Sequence, residues 1–166
     1  MTQDLLEPHL DAAYNLARWL TGNPTDAQDV VQEACLRALA AADRFRGGNA
    51  RAWLLTIVRN TCYSNFRARR GQATTAFEEE THTPDAQHGT PEDVALNDEL
   101  ARDVHAAIAA LPSEYREAIV LREMEGLSYK DIADVAGVPI GTVMSRLSRA
   151  RAQLQQALAS HRRSQS

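Results

Sequence analysis

From Ala73 to Asp98 the chain carries seven acidic residues and no basic one, and no apolar period runs through the stretch. The segment GQATTAFEEETHTPDAQHGTPED collects Thr, Pro, Gly and carboxylates, a composition that buries too little apolar surface to offset the entropy of ordering it. We assign residues 71–92 as an acidic flexible linker, which divides the 166-residue chain into two small domains, 1–70 and 93–166. Each must make its own modest core.

Both halves read as helical. Residues from about 3 to 20 place Leu6, Leu10, Ala13, Ala17 and Leu20 at steps of three and four, an apolar stripe that stops at Gly22-Asn23-Pro24. A second helix follows, with Thr25 and Gln28 in capping-box spacing and Ala27, Val30, Val31, Ala34, Leu36 and Leu39 as its apolar set, running on to Phe45 before Gly47-Gly48. A third opens at Asn49 as ARAWLLTIVRNTCYSNFRARR. Beyond the linker, Thr90-Pro91 starts a helix that ends at Pro112, and Ser113 starts another that Gly126 closes. Ser128 and Asp131 open a short helix up to Gly137, and the last runs from about Gly141 to Ala159. The predicted fold class is all-α, without a sheet.

Composition excludes several functions. No run approaches the roughly 18 apolar residues of a membrane span, and MTQDLLEPHL lacks the basic start and apolar run of a signal peptide, so a cytoplasmic location is expected, with no membrane insertion. Cys35 and Cys62 are too few for a disulfide framework or zinc knuckle and read as reduced core thiols. His82 and His88 lack further ligands, so neither metal nor cofactor is expected. There is no phosphate loop, HExxH or GxSxG, and we predict neither an enzyme nor a small-molecule substrate. The net charge of −4 hides an uneven distribution: nine arginines face seven acids in residues 1–72, and nine basic residues face eight acids in 99–166.

The informative residues form surfaces. From Tyr129 to Leu147, Ile132, Val135 and Ala136 are apolar, Ala133 is small where a second helix can cross, and Gly137 suits a tight turn, a helix-turn-helix layout. At about 100° per residue, Val143, Leu147, Ala150 and Leu154 of the last helix fall together as a buried stripe. That leaves Met144, Ser145, Ser148 and Arg149 to reach base edges, Arg146 and Arg151 to reach phosphates, and Gly141 and Thr142 to offer backbone N–H groups. On the third helix, Leu54, Val58, Cys62 and Phe66 make the buried side. Opposite lie Thr56, Asn60, Tyr63, Arg67 and Arg70, with Trp53 and Arg59 at the margins, a set suited to unpaired bases. Asp26, Asp29, Gln32 and Glu33 form an acidic, amide-bearing face that would repel nucleic acid and suit a basic protein surface.

Together these segments resemble the extracytoplasmic-function (ECF) sigma factors of bacterial RNA polymerase. DAQDVVQEACLRAL (Asp26 to Leu39) resembles the core-polymerase-binding segment, RAWLLTIVRNTCYSNFRARR (Arg51 to Arg70) the promoter-melting and minus-10 helix, and Leu111 to Leu154 the minus-35 domain. The resemblance implies that Asp26, Asp29, Gln32 and Glu33 dock on core RNA polymerase. It further implies that the third helix and the loop Arg44 to Asn49 capture minus-10 bases, that the last helix reads minus-35 DNA, and that an anti-sigma factor holds the protein inactive. In that frame the acidic linker segment, with Glu78, Glu79 and Glu80 among the seven acids of residues 73–98, would stand in for RNA in a basic channel. Ser64 replaces an acid common in the family, and Met144 a base. A dimeric DNA-binding regulator working without polymerase would use residues 113–158 but leave Trp53, Asn60, Tyr63 and the acidic face idle. A decoy that only titrates an anti-sigma protein would need none of Arg67, Arg70 and Arg149.

Overall fold

The computed structural model describes the backbone of residues 2–72 and 99–165, and side chains from 4 to 70 and from 99 to 160. The linker, with Glu78 to Glu80 and both of its histidines, lies outside the described residues, as does the start of the helix expected from Thr90. Among the described residues every regular element is a helix or helical turn.

In the first domain α1 spans Thr2–Leu6, α2 Leu10–Thr21, α3 Pro24–Ala40 and α4 Ala50–Gln72. The single helix expected over 3–20 is interrupted by a 3-10 turn at Glu7–His9 that holds Pro8, which has no N–H to continue an α-helical ladder. Thr25 does not cap α3. Asn23 does, in an extended conformation, its side-chain oxygen accepting from the Asp26 N–H at 3.0 Å with Pro24 opening the helix.

The core of this domain comes from Leu16, Ala17 and Leu20 of α2, Ala27, Val30, Ala34 and Ala38 of α3, and Leu54, Leu55, Val58 and Cys62 of α4. Leu36 and Leu39, expected in the apolar set, are 67% and 48% exposed. Two and five residues beyond buried Ala34, they sit about 160° and 140° around the helix from it, so α3 turns them outward. Phe66, expected on the buried side, is half-buried. Helix α4 starts on Asn49, whose side-chain oxygen accepts from the Ala52 N–H at 3.0 Å.

In the second domain α5 spans Glu99–Ala109, α6 Ser113–Ile119, α7 Tyr129–Ala136 and α8 Ile140–Gln165. The helix expected to continue to Gly126 widens after Ile119 into a π-helical turn, Val120–Met124, with the Glu125 N–H donating to the Val120 carbonyl at 3.1 Å. Ser128 caps α7 by accepting from the Asp131 N–H at 3.0 Å. Gly137, at φ 69°, takes the left-handed turn between α7 and α8, where a side chain would be strained. Val143, Leu147 and Ala150 of α8 are buried against Ile132 and Val135 of α7 and the residues of α6.

The two domains are not separate bodies. Helix α4 packs on α7 as well as on α2 and α3, α2 packs on α6, and the buried residues of both halves join in one core. Leu147→Ala should cost about 2–5 kcal/mol in urea unfolding, through lost burial and a cavity. Met144→Ala, three residues away and 53% exposed, should stay within about 0.5 kcal/mol of the parent.

Candidate nucleic-acid interface

Helix α8 divides its faces as its sequence demands. With Val143, Leu147 and Ala150 inward, Gly141, Met144, Ser145, Ser148 and Arg149 are exposed on the outer side, and Thr142 is half-buried. The outer side has the polarity and openness needed to enter a major groove. Arg146 is held back toward Glu114 of α6 at 3.5 Å, and Arg151 reaches Glu123 at 3.0 Å. The Arg151 pair is exposed on both sides and easily exchanged for a phosphate, whereas Arg146 is half-buried beside an exposed Glu114.

Helix α4 splits its candidate set in two. Asn60, Arg67 and Arg70 are exposed, whereas Trp53, Arg59 and Tyr63 are half-buried. Trp53 lies against Phe45 with ring centroids 5.0 Å apart and planes tilted by 40°, and packs on the core. The Arg59 guanidinium lies 4.5 Å from the centre of the Tyr63 ring and donates from Nε to Glu117 of α6 at 2.7 Å. The Tyr63 hydroxyl is buried with no hydrogen-bond partner among the described residues. Burial, reinforced by the Glu117 charge, pushes its phenol well above the usual range and keeps it protonated. The preceding loop carries exposed Arg44 and Arg46 and passes through Gly47 and Gly48, both at positive φ.

On α3, Asp29 and Gln32 are exposed. Asp26 is engaged by Arg69 at 3.2 Å, and Glu33 by Arg37 at 2.6 Å and Asn65 at 3.4 Å. The acidic face is therefore half free and half tied to its own domain.

The seam between the domains went unforeseen in the sequence. Asn49 Nδ2 donates to Asp131 at 2.9 Å, Asn15 Nδ2 to Glu125 at 2.9 Å, and Arg51 lies 3.8 Å from Glu125. Arg116 donates from Nη1 to the Trp19 carbonyl at 2.8 Å and from Nη2 to that of Leu111 at 2.9 Å. The rings of Trp19 and His105 lie 4.6 Å apart. The one sequence signal was the charged pair Arg116-Glu117 directly ahead of the apolar run AIVL.

Burial raises the Glu117 carboxyl above the ordinary range although Arg59 pulls it down. A carboxyl raised by folding binds its proton more tightly in the folded state, so its contribution to stability is present at low pH and is lost as pH rises through the raised value. Glu117→Gln keeps an acceptor for Arg59 without the charge. It should match the parent in acid and equal or exceed it in urea unfolding at pH 7; a variant less stable only at neutral pH would contradict this. Cys62, 1% exposed, has its thiol pushed up to about 12 by burial. It should alkylate on the order of 10³-fold more slowly than a free thiol in the native protein at pH 8, and normally once unfolded.

Comparison with known proteins gives these surfaces a frame. Residues 5–72 match the family described as Sigma-70 region 2, and residues 101–154 match Sigma-70, region 4. The chain is 37% identical over 95% of its length to the ECF RNA polymerase sigma factor SigE of Mycolicibacterium smegmatis, of which the match spans 62%. It is 41% identical over 80% of its length to the RNA polymerase sigma-H factor of Pseudomonas aeruginosa, of which it spans 73%. Among solved structures it resembles the sigma factor RpoE of Bartonella quintana in complex with the anti-sigma factor NepR, with TM-score 0.77 and 34% identity, over 95% of this chain and 96% of that one. It also resembles CnrH in complex with the cytosolic domain of CnrY, with TM-score 0.68 and 31% identity, over 96% of this chain and 88% of that one.

Proposed function

We propose, because this chain belongs to the extracytoplasmic-function sigma factor family, that it directs bacterial core RNA polymerase to promoters. The observation that carries the reading is the pairing in one chain of two unlike surfaces for nucleic acid. One is the open outer face of α8, set for duplex DNA, and the other is the arginine, asparagine and aromatic side of α4, set for unpaired bases.

In this mechanism Asp29 and Gln32, with Asp26 and Glu33 once released from Arg69 and Arg37, dock on a basic surface of the polymerase. Arg149 takes a guanine edge in the minus-35 major groove while Met144, Ser145 and Ser148 make less selective contacts, and Arg146 and the α8 N-terminus at Gly141 and Thr142 hold phosphates. Asn60, Arg67 and Arg70, with Arg59, Trp53 and Tyr63, receive minus-10 bases. Capturing extruded bases offsets the pairing and stacking lost on melting, so the duplex is biased open without a catalytic group. The near-neutral charge of each half predicts weak binding to free DNA, since phosphate neutralisation dominates that affinity. The described residues include no helix long and apolar enough to cross a membrane. The similarity to a sigma factor solved in complex with an anti-sigma factor supports an inhibitory protein partner for this chain as well.

Run-off transcription with purified core polymerase on a promoter library tests the reading. Arg149→Ala should change which upstream sequences are used, about tenfold or more at a guanine position. Asn60→Ala should lower open-complex yield on every promoter alike. Transcripts that do not depend on the added protein would overturn the assignment.

A further inference from the structure

The outer side of α8 leaves two large apolar side chains in solvent. Ile140 is 44% and Met144 53% exposed, whereas Val143, Leu147 and Ala150 of the same helix are buried. Apolar residues scattered singly over a surface are ordinary. These two stand one helical turn apart and about 40° around the axis from each other, so they adjoin as a short apolar strip. Ser148, also exposed, follows one turn further on. One ridge of the outer side is therefore Ile140, Met144 and Ser148, and the next is Gly141, Ser145 and Arg149. The second ridge offers polar groups to polar base edges. The first offers methyl and thioether surface that ends in a single hydroxyl.

The charge around the strip narrows what can cover it. Helix α8 has no acidic residue from Ile140 to Gln165, and Arg146, Arg149 and Arg151 all follow within three turns of Ile140. The carboxylates that Arg146 and Arg151 meet come from elsewhere, from Glu114 and Glu123. The fitting occupant is thus a small apolar group flanked by anions. A major groove supplies one wherever the C5 methyl of thymine stands between its phosphate-lined walls. Position agrees, because a recognition helix presents its N-terminal residues to base edges, and Ile140 and Met144 fall in the first two turns. The O4 atom beside the methyl needs a donor, and Ser148 has one to give. Cytosine or adenine would lay an amino group against a side chain that accepts only weakly, leaving that donor unsatisfied.

We propose that Ile140 and Met144 form a reader of the thymine methyl in the minus-35 major groove, with Ser148 donating to O4 of the same base. This rests on the sigma-factor reading and adds a second specified base to it: Arg149 selects guanine, and the apolar ridge selects thymine. Met144 and Arg149 are separated by about 7.5 Å along the helix axis, so the thymine falls within about three base pairs of the guanine. A methyl buried against carbon and sulfur is worth about fourfold in affinity, less than a bidentate arginine contact.

The test uses core polymerase with the full chain. Promoters are first selected from a library randomised in the upstream element, and each thymine of the selected element is then replaced by deoxyuridine, which removes the methyl and nothing else. Open-complex formation against holoenzyme concentration should reveal one or two thymines, near the guanine that Arg149→Ala ceases to select, where the replacement weakens binding about fourfold. Ile140→Ala with Met144→Ala should keep the parent's circular dichroism, bind the thymine template as weakly as the parent binds its deoxyuridine counterpart, and be indifferent to the replacement. Met144→Leu, which keeps apolar bulk, should retain the methyl effect. A selected element with no methyl-sensitive thymine overturns the proposal, and this scan of the parent needs no variant. A methyl effect of undiminished size in the double alanine variant also overturns it. So does weaker binding of that variant to core polymerase before any promoter is added, because the strip would then meet protein. If the parent initiates on no member of the library, the sigma-factor reading itself fails; transcription by the parent separates that failure from the others.

Discussion

Burial of Arg116 and Glu117 between the two domains is the constraint around which the rest is arranged. A carboxylate that is 1% exposed and a guanidinium that is 8% exposed call for partners, and each finds one in the other domain: Glu117 in Arg59, and Arg116 in the Trp19 carbonyl, besides the Leu111 carbonyl of its own domain. From these two residues the orientation of α6 follows, since its opposite side is committed to the apolar core. With α6 placed, α7 comes to rest on α4, while α8, packed on α6 and α7, keeps its outer face in solvent. The same interaction that joins the domains therefore decides which of the proposed nucleic-acid surfaces is open and which is partly covered.

Two kinds of polar surface serve different ends in this chain. On α8 the exposed set is presented by a buried stripe and stands open to solvent. On α4 and α3 much of the polar set is already engaged: Arg59 with Glu117, Asp26 with Arg69, and Glu33 with Arg37. Exposed pairs such as the last two contribute little to stability and exchange readily for an outside partner. The buried one resists exchange until water reaches it.

Local periodicity made most of the helices legible. Val143, Leu147 and Ala150 had to share a side, and Gly137 had to turn the chain, because 100° per residue and the cost of a positive φ leave no alternative. The same rule, applied loosely, placed Leu36 and Leu39 in the core, and stricter rotation from Ala34 would have sent them out. Pro8 and the π-helical turn at Val120–Met124 broke helices that apolar spacing alone reads as continuous. The candidate residues of α8 could be placed by rotation because their own helix determines their exposure. Those of α4 could not, because Arg59 meets a group 58 positions away and no local pattern encodes a contact across a linker. The charged pair ahead of an apolar run was visible, but only packing revealed what it faced.

Footprinting of one promoter with the chain alone, with core polymerase alone and with both tests most directly whether two modules act only when a larger enzyme spaces them. The account predicts no protection by the chain alone at physiological salt, and with both components two protected patches separated by an unprotected spacer, with reactive unpaired bases at the downstream one. Sequence-specific protection by the chain alone, or a single patch whose extent is unchanged by polymerase, would contradict it.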